Sequence, residues 1–74
     1  MTRLPALTAK EMASTLKRAG FIEHHQKGSH LWLYHAGWER MVCVPMHCAD
    51  LPRGTMKSII KQAGYTEEEF RNLL

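Results

Sequence analysis

Four consecutive residues, Lys27-Gly28-Ser29-His30, put a cation, a glycine, a hydroxyl and an imidazole into one short stretch of chain. Glycine lets backbone approach a ligand closely, while the lysine and serine offer donors to an oxyanion. Histidine has an ordinary pKa of about 6.5, so its ring can take a proton or give one near neutrality. A cluster of this kind can hold a phosphate and move a proton beside it. The same residues also suit a solvated hairpin turn that does no chemistry, because Gly and Ser are common in turns.

A second constellation lies at Arg53, Gly54, Thr55, Lys57 and Lys61. Gly54 and Thr55 open an apolar-periodic segment, and the free N–H groups of a helix start attract anions. Lys57 and Lys61 stand at i and i+4, with Arg53 one turn earlier, so a cationic stripe is predicted along that helix. A solvated helix face has the same charge pattern. The helix start, beside a basic stripe and an apolar one on the same short helix, turns the reading toward a phosphate backbone.

The remaining histidines and the cysteines are weaker candidates. His24 and His25 are neighbours in a predicted strand, so regular alternation places them on opposite faces. Together with His35 they are expected in surface or partly buried structural places. Cys43, His47 and Cys48 raise a zinc site, but four residues separate the cysteines, Pro45 constrains the path, and a fourth ligand would have to come from His35 or another remote histidine. That departs from zinc templates, and buried thiols account for the cysteines better. No metal and no cofactor are expected.

The elements that must position these residues follow from spacing. Thr8 and Glu11 form a capping box for a helix over residues 9–19, in which Met12, Leu16 and Ala19 recur at helical spacing until Gly20. Strands are predicted over 21–26, 30–35 and 40–44, joined by turns at Lys27-Gly28-Ser29 and Ala36-Gly37-Trp38-Glu39, with Pro45 ending the third. A loop over 46–54 precedes a helix starting at Thr55, whose Met56, Ile59, Ile60 and Ala63 form one buried face up to Gly64. Thr66 and Glu69 cap a last short helix, and its Phe70, Leu73 and Leu74 are expected to close over the core. The order is α-β-β-β-α with a small helical tail, an α+β fold: an antiparallel meander with both main helices on one face and the other partly open.

At 74 residues the chain is one domain, residues 1–74, without repeat or linker. A domain of this size buries only about 60% of its unfolded surface, which excludes a large enclosed cavity. The net charge is +3, and three of the seven acids are Glu67, Glu68 and Glu69, so the remainder is more basic than the total. That attracts nucleic acid, anionic lipid or acidic protein alike. Two cysteines are too few for a secreted disulfide scaffold, so reduced thiols are expected. No apolar run nears the roughly 18 residues of a membrane span, and the first residues lack a signal-peptide core, so no membrane association and a cytoplasmic location are expected.

The fragments K-G-S-H (27–30), V-C-V-P-M-H (42–47) and G-T-M-K-S-I-I-K-Q-A-G (54–64), closed by T-E-E-E-F, resemble the HicA toxin family of bacterial toxin–antitoxin pairs over nearly the whole chain. The resemblance implies a double-stranded-RNA-binding-domain-like fold and an mRNA interferase, a metal-independent endoribonuclease inhibited when a HicB-like antitoxin covers its active site. The family's catalytic histidine in G-S-H matches His30. Two departures bear on RNA preference: Leu31 stands where the family often has a polar or basic residue, and Cys48 where a glycine is common. On this reading Lys27, Gly28 and Ser29 hold the scissile phosphate of mRNA, and Arg53, Thr55, Lys57 and Lys61 position its neighbouring backbone. A second proton carrier is required, with His24, His25 and Tyr34 as candidates. A non-catalytic RNA-binding module of the same fold and a plain protein-interaction domain are the alternatives.

Overall fold

The computed structural model describes residues 4–47 and 49–74. Its elements are α1 (Ala9–Arg18), β1 (Ile22–Lys27), β2 (His30–His35), β3 (Arg40–Pro45), α2 (Arg53–Ala63) and α3 (Glu67–Arg71). The α+β order is the expected one, and the three strands form one antiparallel sheet in the order β1-β2-β3.

Helix α1 starts where its capping box dictates. The Glu11 N–H donates to Thr8 Oγ1 at 3.0 Å, and the Thr8 N–H donates back to the Glu11 carboxylate at 2.9 Å. It stops at Gly20, whose φ of +108° lets the chain reverse while the Phe21 N–H returns to the Leu16 carbonyl at 3.0 Å. Gly64, at φ +91°, ends α2 in the same way, the Tyr65 N–H reaching Ile60 O at 3.1 Å. The Thr66–Glu69 capping box starts α3. Helix α2 begins at Arg53 rather than Thr55, because the carbonyl of Pro52 already accepts the Met56 N–H at 2.9 Å; proline preceding the first turn lacks only an N–H the helix would not use.

Residues alternate across the sheet as the period of two requires. On β2, Leu31 and Leu33 face the helices, paired with Val44 and Val42 of β3. They join Met12 and Leu16 of α1, Met56, Ile59 and Ile60 of α2, and Phe70 of α3 in a single buried cluster. Both main helices therefore cover one face. Leu73 packs at the margin of this core, but Leu74 is 46% exposed, contrary to the expectation that it closes the core; α3 ends after five residues and Phe70 alone fills the remaining gap.

The strand β1 carries the one departure from regular pairing. Glu23 pairs with Leu33 and His25 with Trp32, so the β1–β2 register shifts between Glu23 and His25, leaving His24 as an extra residue. A bulge of this kind puts two consecutive side chains on the same side of the sheet.

Candidate active site on the open sheet face

The turn between β1 and β2 contains only Gly28 and Ser29. Gly28 has a φ of +59° and Ser29 does not have a positive one, the signature of a type II′ hairpin turn, whose twist matches that of the strands. Lys27 and His30 are thereby paired directly across the hairpin mouth. By alternation from Leu31, His30 lies on the face away from the helices, and its side chain is exposed.

The third strand brings a partner. Pro45 pairs with His30, and the Met46 N–H donates to the Ser29 carbonyl at 2.6 Å, which fastens the chain after β3 to the hairpin turn. The next residue, His47, has its ring centroid 6.2 Å from that of His30, edge to face, and is also exposed. Lys27, Gly28, Ser29 and His30 are thus gathered with a second imidazole. In the sequence His47 stands as a zinc candidate and as the last residue of the V-C-V-P-M-H fragment, without a catalytic role; the signal for one is that same run, because a strand ending at Pro45 opposite His30 brings His47 toward the hairpin mouth.

The open face continues from His30 as a field of rings. Trp32 lies 5.9 Å from His30 and 5.7 Å from His25, and Tyr34 lies 6.1 Å from His24. His24 and His25 therefore share this face, not opposite faces as simple alternation predicts, and the bulge at His24 is the cause. Partly buried Cys43 sits beside Trp32 on the same face, where burial pushes its thiol pKa up; it is less buried than expected because β3 has no layer over this side. Cys48 lies outside the described residues. His35, by contrast, is on the helix side at the far end of β2, stacked on Trp38 at 4.4 Å and packed edge-on to Phe21.

The α2 cations are in a different place. The Arg53 guanidinium donates to the Leu4 carbonyl at 3.1 Å, securing the N-terminal segment. The Lys57 ammonium is 4.0 Å from the Glu67 carboxylate of α3. Gln62, on the opposite flank of the helix, reaches β3 by accepting the Cys43 N–H at 3.4 Å. The buried residues of α2 pack on the Leu31 and Leu33 side of the sheet, the face opposite His30. The α2 start, including Thr55, has no side-chain cap. The partners of these cations are Leu4 for Arg53 and Glu67 for Lys57, and neither belongs to the hairpin cluster.

No helix among the described residues is long and apolar enough to cross a membrane. No protein of curated function matches the chain. The family model described as the HicA toxin of bacterial toxin–antitoxin systems matches residues 9–65, from the first residue of α1 to just past the end of α2, and so includes the hairpin, all three strands and His47. With that match over most of its length, the chain belongs to the HicA toxin family.

Proposed function

We propose that this toxin is a metal-independent endoribonuclease acting on mRNA, with His30 as a catalytic proton carrier and a HicB-like antitoxin as the partner that covers its site. The observation that supports this best is the exposed His30–His47 pair at the hairpin mouth, with Lys27 across from it.

RNA carries its own nucleophile, the 2′-hydroxyl. Cleavage needs a base to remove that proton, an acid to protonate the departing 5′-oxygen, and positive or N–H groups to meet the extra phosphate charge. Products are a 2′,3′-cyclic phosphate and a 5′-hydroxyl. His30 fills one of the proton-transfer roles. His47 takes the other, in preference to His24, His25 or Tyr34, because it is the imidazole in ring contact with His30 that no other ring of the open face engages. Lys27 and the backbone at Gly28 and Ser29 meet the phosphate. Arg53, Thr55, Lys57 and Lys61 act at longer range on neighbouring backbone, and the exposed Lys57–Glu67 pair is weak enough, roughly 0–1 kcal/mol, to yield to phosphate.

The test is incubation of purified wild-type protein and His30→Ala with labelled mRNA in EDTA, followed by identification of the ends. Wild type is expected to give cyclic phosphate and 5′-hydroxyl termini, and His30→Ala to bind RNA without cutting it. Equal cleavage by a folded His30→Ala protein refutes the assignment. Binding without cleavage by the wild type reduces the function to that of an RNA-binding module.

A further inference from the structure

The open face of the sheet is larger than the hairpin site needs, and its composition is selective. It carries His25, Trp32 and His30 as one contiguous group of rings and His24 with Tyr34 as a second, with Lys27 at the end nearest His30. None of the seven carboxylates is placed there. Glu23 is the only acid within a strand, and it faces the helix side, paired in register with Leu33 and bound to Lys17 of α1. The others are on helices, in the β2–β3 turn or in the loop before α2. A face with five rings, a lysine and no carboxylate is complementary to an anionic chain that also bears flat groups.

These rings do not stack face to face on one another. His25 and His30 are tilted 43° and 44° against Trp32, and His24 is tilted 49° against Tyr34. Elsewhere the same residue types satisfy one another, as His35 and Trp38 do, stacked at 15°. On β2 residues 30, 32 and 34 recur at every second position with a backbone repeat of about 6.7 Å, about twice the 3.4 Å stacking rise of a nucleic-acid strand, and the rings of His30 and Trp32 are 5.9 Å apart. Bases of a duplex are paired and stacked on one another, and cannot use such a surface; bases of a single strand can.

We infer that the open sheet face is a base-stacking platform for single-stranded RNA, with Trp32 as its central ring and His25, His24 and Tyr34 beside it, so that bases are held on the sheet while the adjoining phosphate reaches His30 and Lys27. This rests on the proposed RNA-cleaving function for its substrate and adds how that substrate is held.

The test separates holding from cutting. A 2′-O-methyl oligonucleotide has no free nucleophile, so its binding is measured without cleavage, and Trp38→Phe leaves Trp32 as the one tryptophan fluorophore. In that background the single-stranded 2′-O-methyl oligonucleotide is expected to quench Trp32 and to bind more tightly than its duplex or an abasic strand of equal length. Trp32→Ala is expected to weaken binding roughly 5- to 150-fold, and Trp32→Phe to retain most of it. Circular dichroism establishes that each variant is folded, and His25→Ala supplies an independent loss should Trp32→Ala unfold. Equal binding of single strand, duplex and abasic strand, or unchanged affinity in folded Trp32→Ala and His25→Ala, overturns the platform. If RNA is still cut in that case, the proposed function stands without the platform; ring-dependent binding with no cutting by the wild type leaves the platform and removes the ribonuclease.

Discussion

If His30 and His47 act as the two ends of one proton relay, removing either should damage the same step. Their ring centroids are 6.2 Å apart, edge to face, which keeps both imidazoles within the neighbourhood of one phosphodiester, where one can serve the 2′-oxygen and the other the 5′-oxygen. A positioned acid or base contributes roughly 10²–10⁴ in rate, equivalent to about 2.7–5.4 kcal/mol of barrier. We therefore expect His47→Ala to lower kcat by roughly 10²–10⁴, with His30→Ala at least as severe. The double variant should be only slightly worse than the poorer single one, because groups acting as a unit are not additive. The dependence of kcat/KM on pH for a short RNA should be bell-shaped for wild type, as for any paired acid and base, and each variant should lose one limb. A substrate with a good leaving group at the 5′ position needs less protonation, so it should rescue the variant that lacks the acid and not the one that lacks the base. A merely structural role for His47 moves none of these readouts. An unaltered bell in His47→Ala, with a small and additive rate loss, would refute the relay and return the search to His24, His25 and Tyr34.

Two further outcomes follow from backbone and burial. Gly20→Ala forces an L residue to a φ of +108° and sets its Cβ 2.7 Å from His35 Nε2, so urea unfolding should show a loss of roughly 1–3 kcal/mol; Gly28→Ala, at φ +59° but with nothing within 4 Å of a new Cβ, should fall at the low end of that range. Burial raises the Cys43 thiol above its ordinary 9.0, and burial, then the nearby Glu69 charge, raises the Tyr65 phenol above 10.0. Both groups are therefore held in their neutral forms in the fold: their stabilising contribution is complete below the ordinary values and is lost as pH rises through the folded ones. Urea midpoints should fall above pH 9, and Cys43→Ala should delay the first part of that fall.

Local chemistry made most of the architecture legible. The two threonine–glutamate capping boxes, the glycines at 20 and 64 and the i, i+3, i+4, i+7 face of α2 each fix a backbone feature within a few residues, and all appear where those residues stand. The start of α2 came two residues early because Pro52 can precede a first helical turn as readily as it can end a loop. His30 was legible because a short turn leaves the first residue of the next strand at its mouth, although the turn is Gly28-Ser29, and Lys27, read as part of it, is the last residue of β1. His47, His24 and His25 were not, since their positions depend on pairing between segments. A sequence does not display the Met46–Ser29 hydrogen bond or a register shift at His24, and a one-residue shift reverses which face a side chain takes. The partners of the α2 cations were hidden for a similar reason: helical spacing aligned them with one another but said nothing of the Leu4 carbonyl that Arg53 reaches or of Glu67 beside Lys57.

The arrangement also bears on how such a toxin is controlled. A core shared among three strands and three short helices leaves no depth for a cavity, so the proposed chemistry takes place on an open face with the histidines exposed to water. An enclosed site can be regulated by a lid; an exposed pair, with His30 at the start of β2 and His47 just past the end of β3, is open to a surface that occupies the same face. If bases are held by Trp32 and its neighbours, that competitor need not touch His30 at all: a protein covering the rings would remove the substrate while leaving both histidines intact. Inhibition of that kind raises KM for RNA without changing kcat, and it is overcome by excess single strand and not by excess duplex. Inhibition by an antitoxin that persists unchanged at saturating single-stranded RNA would place its contact elsewhere and would separate control of the toxin from the face that binds its substrate.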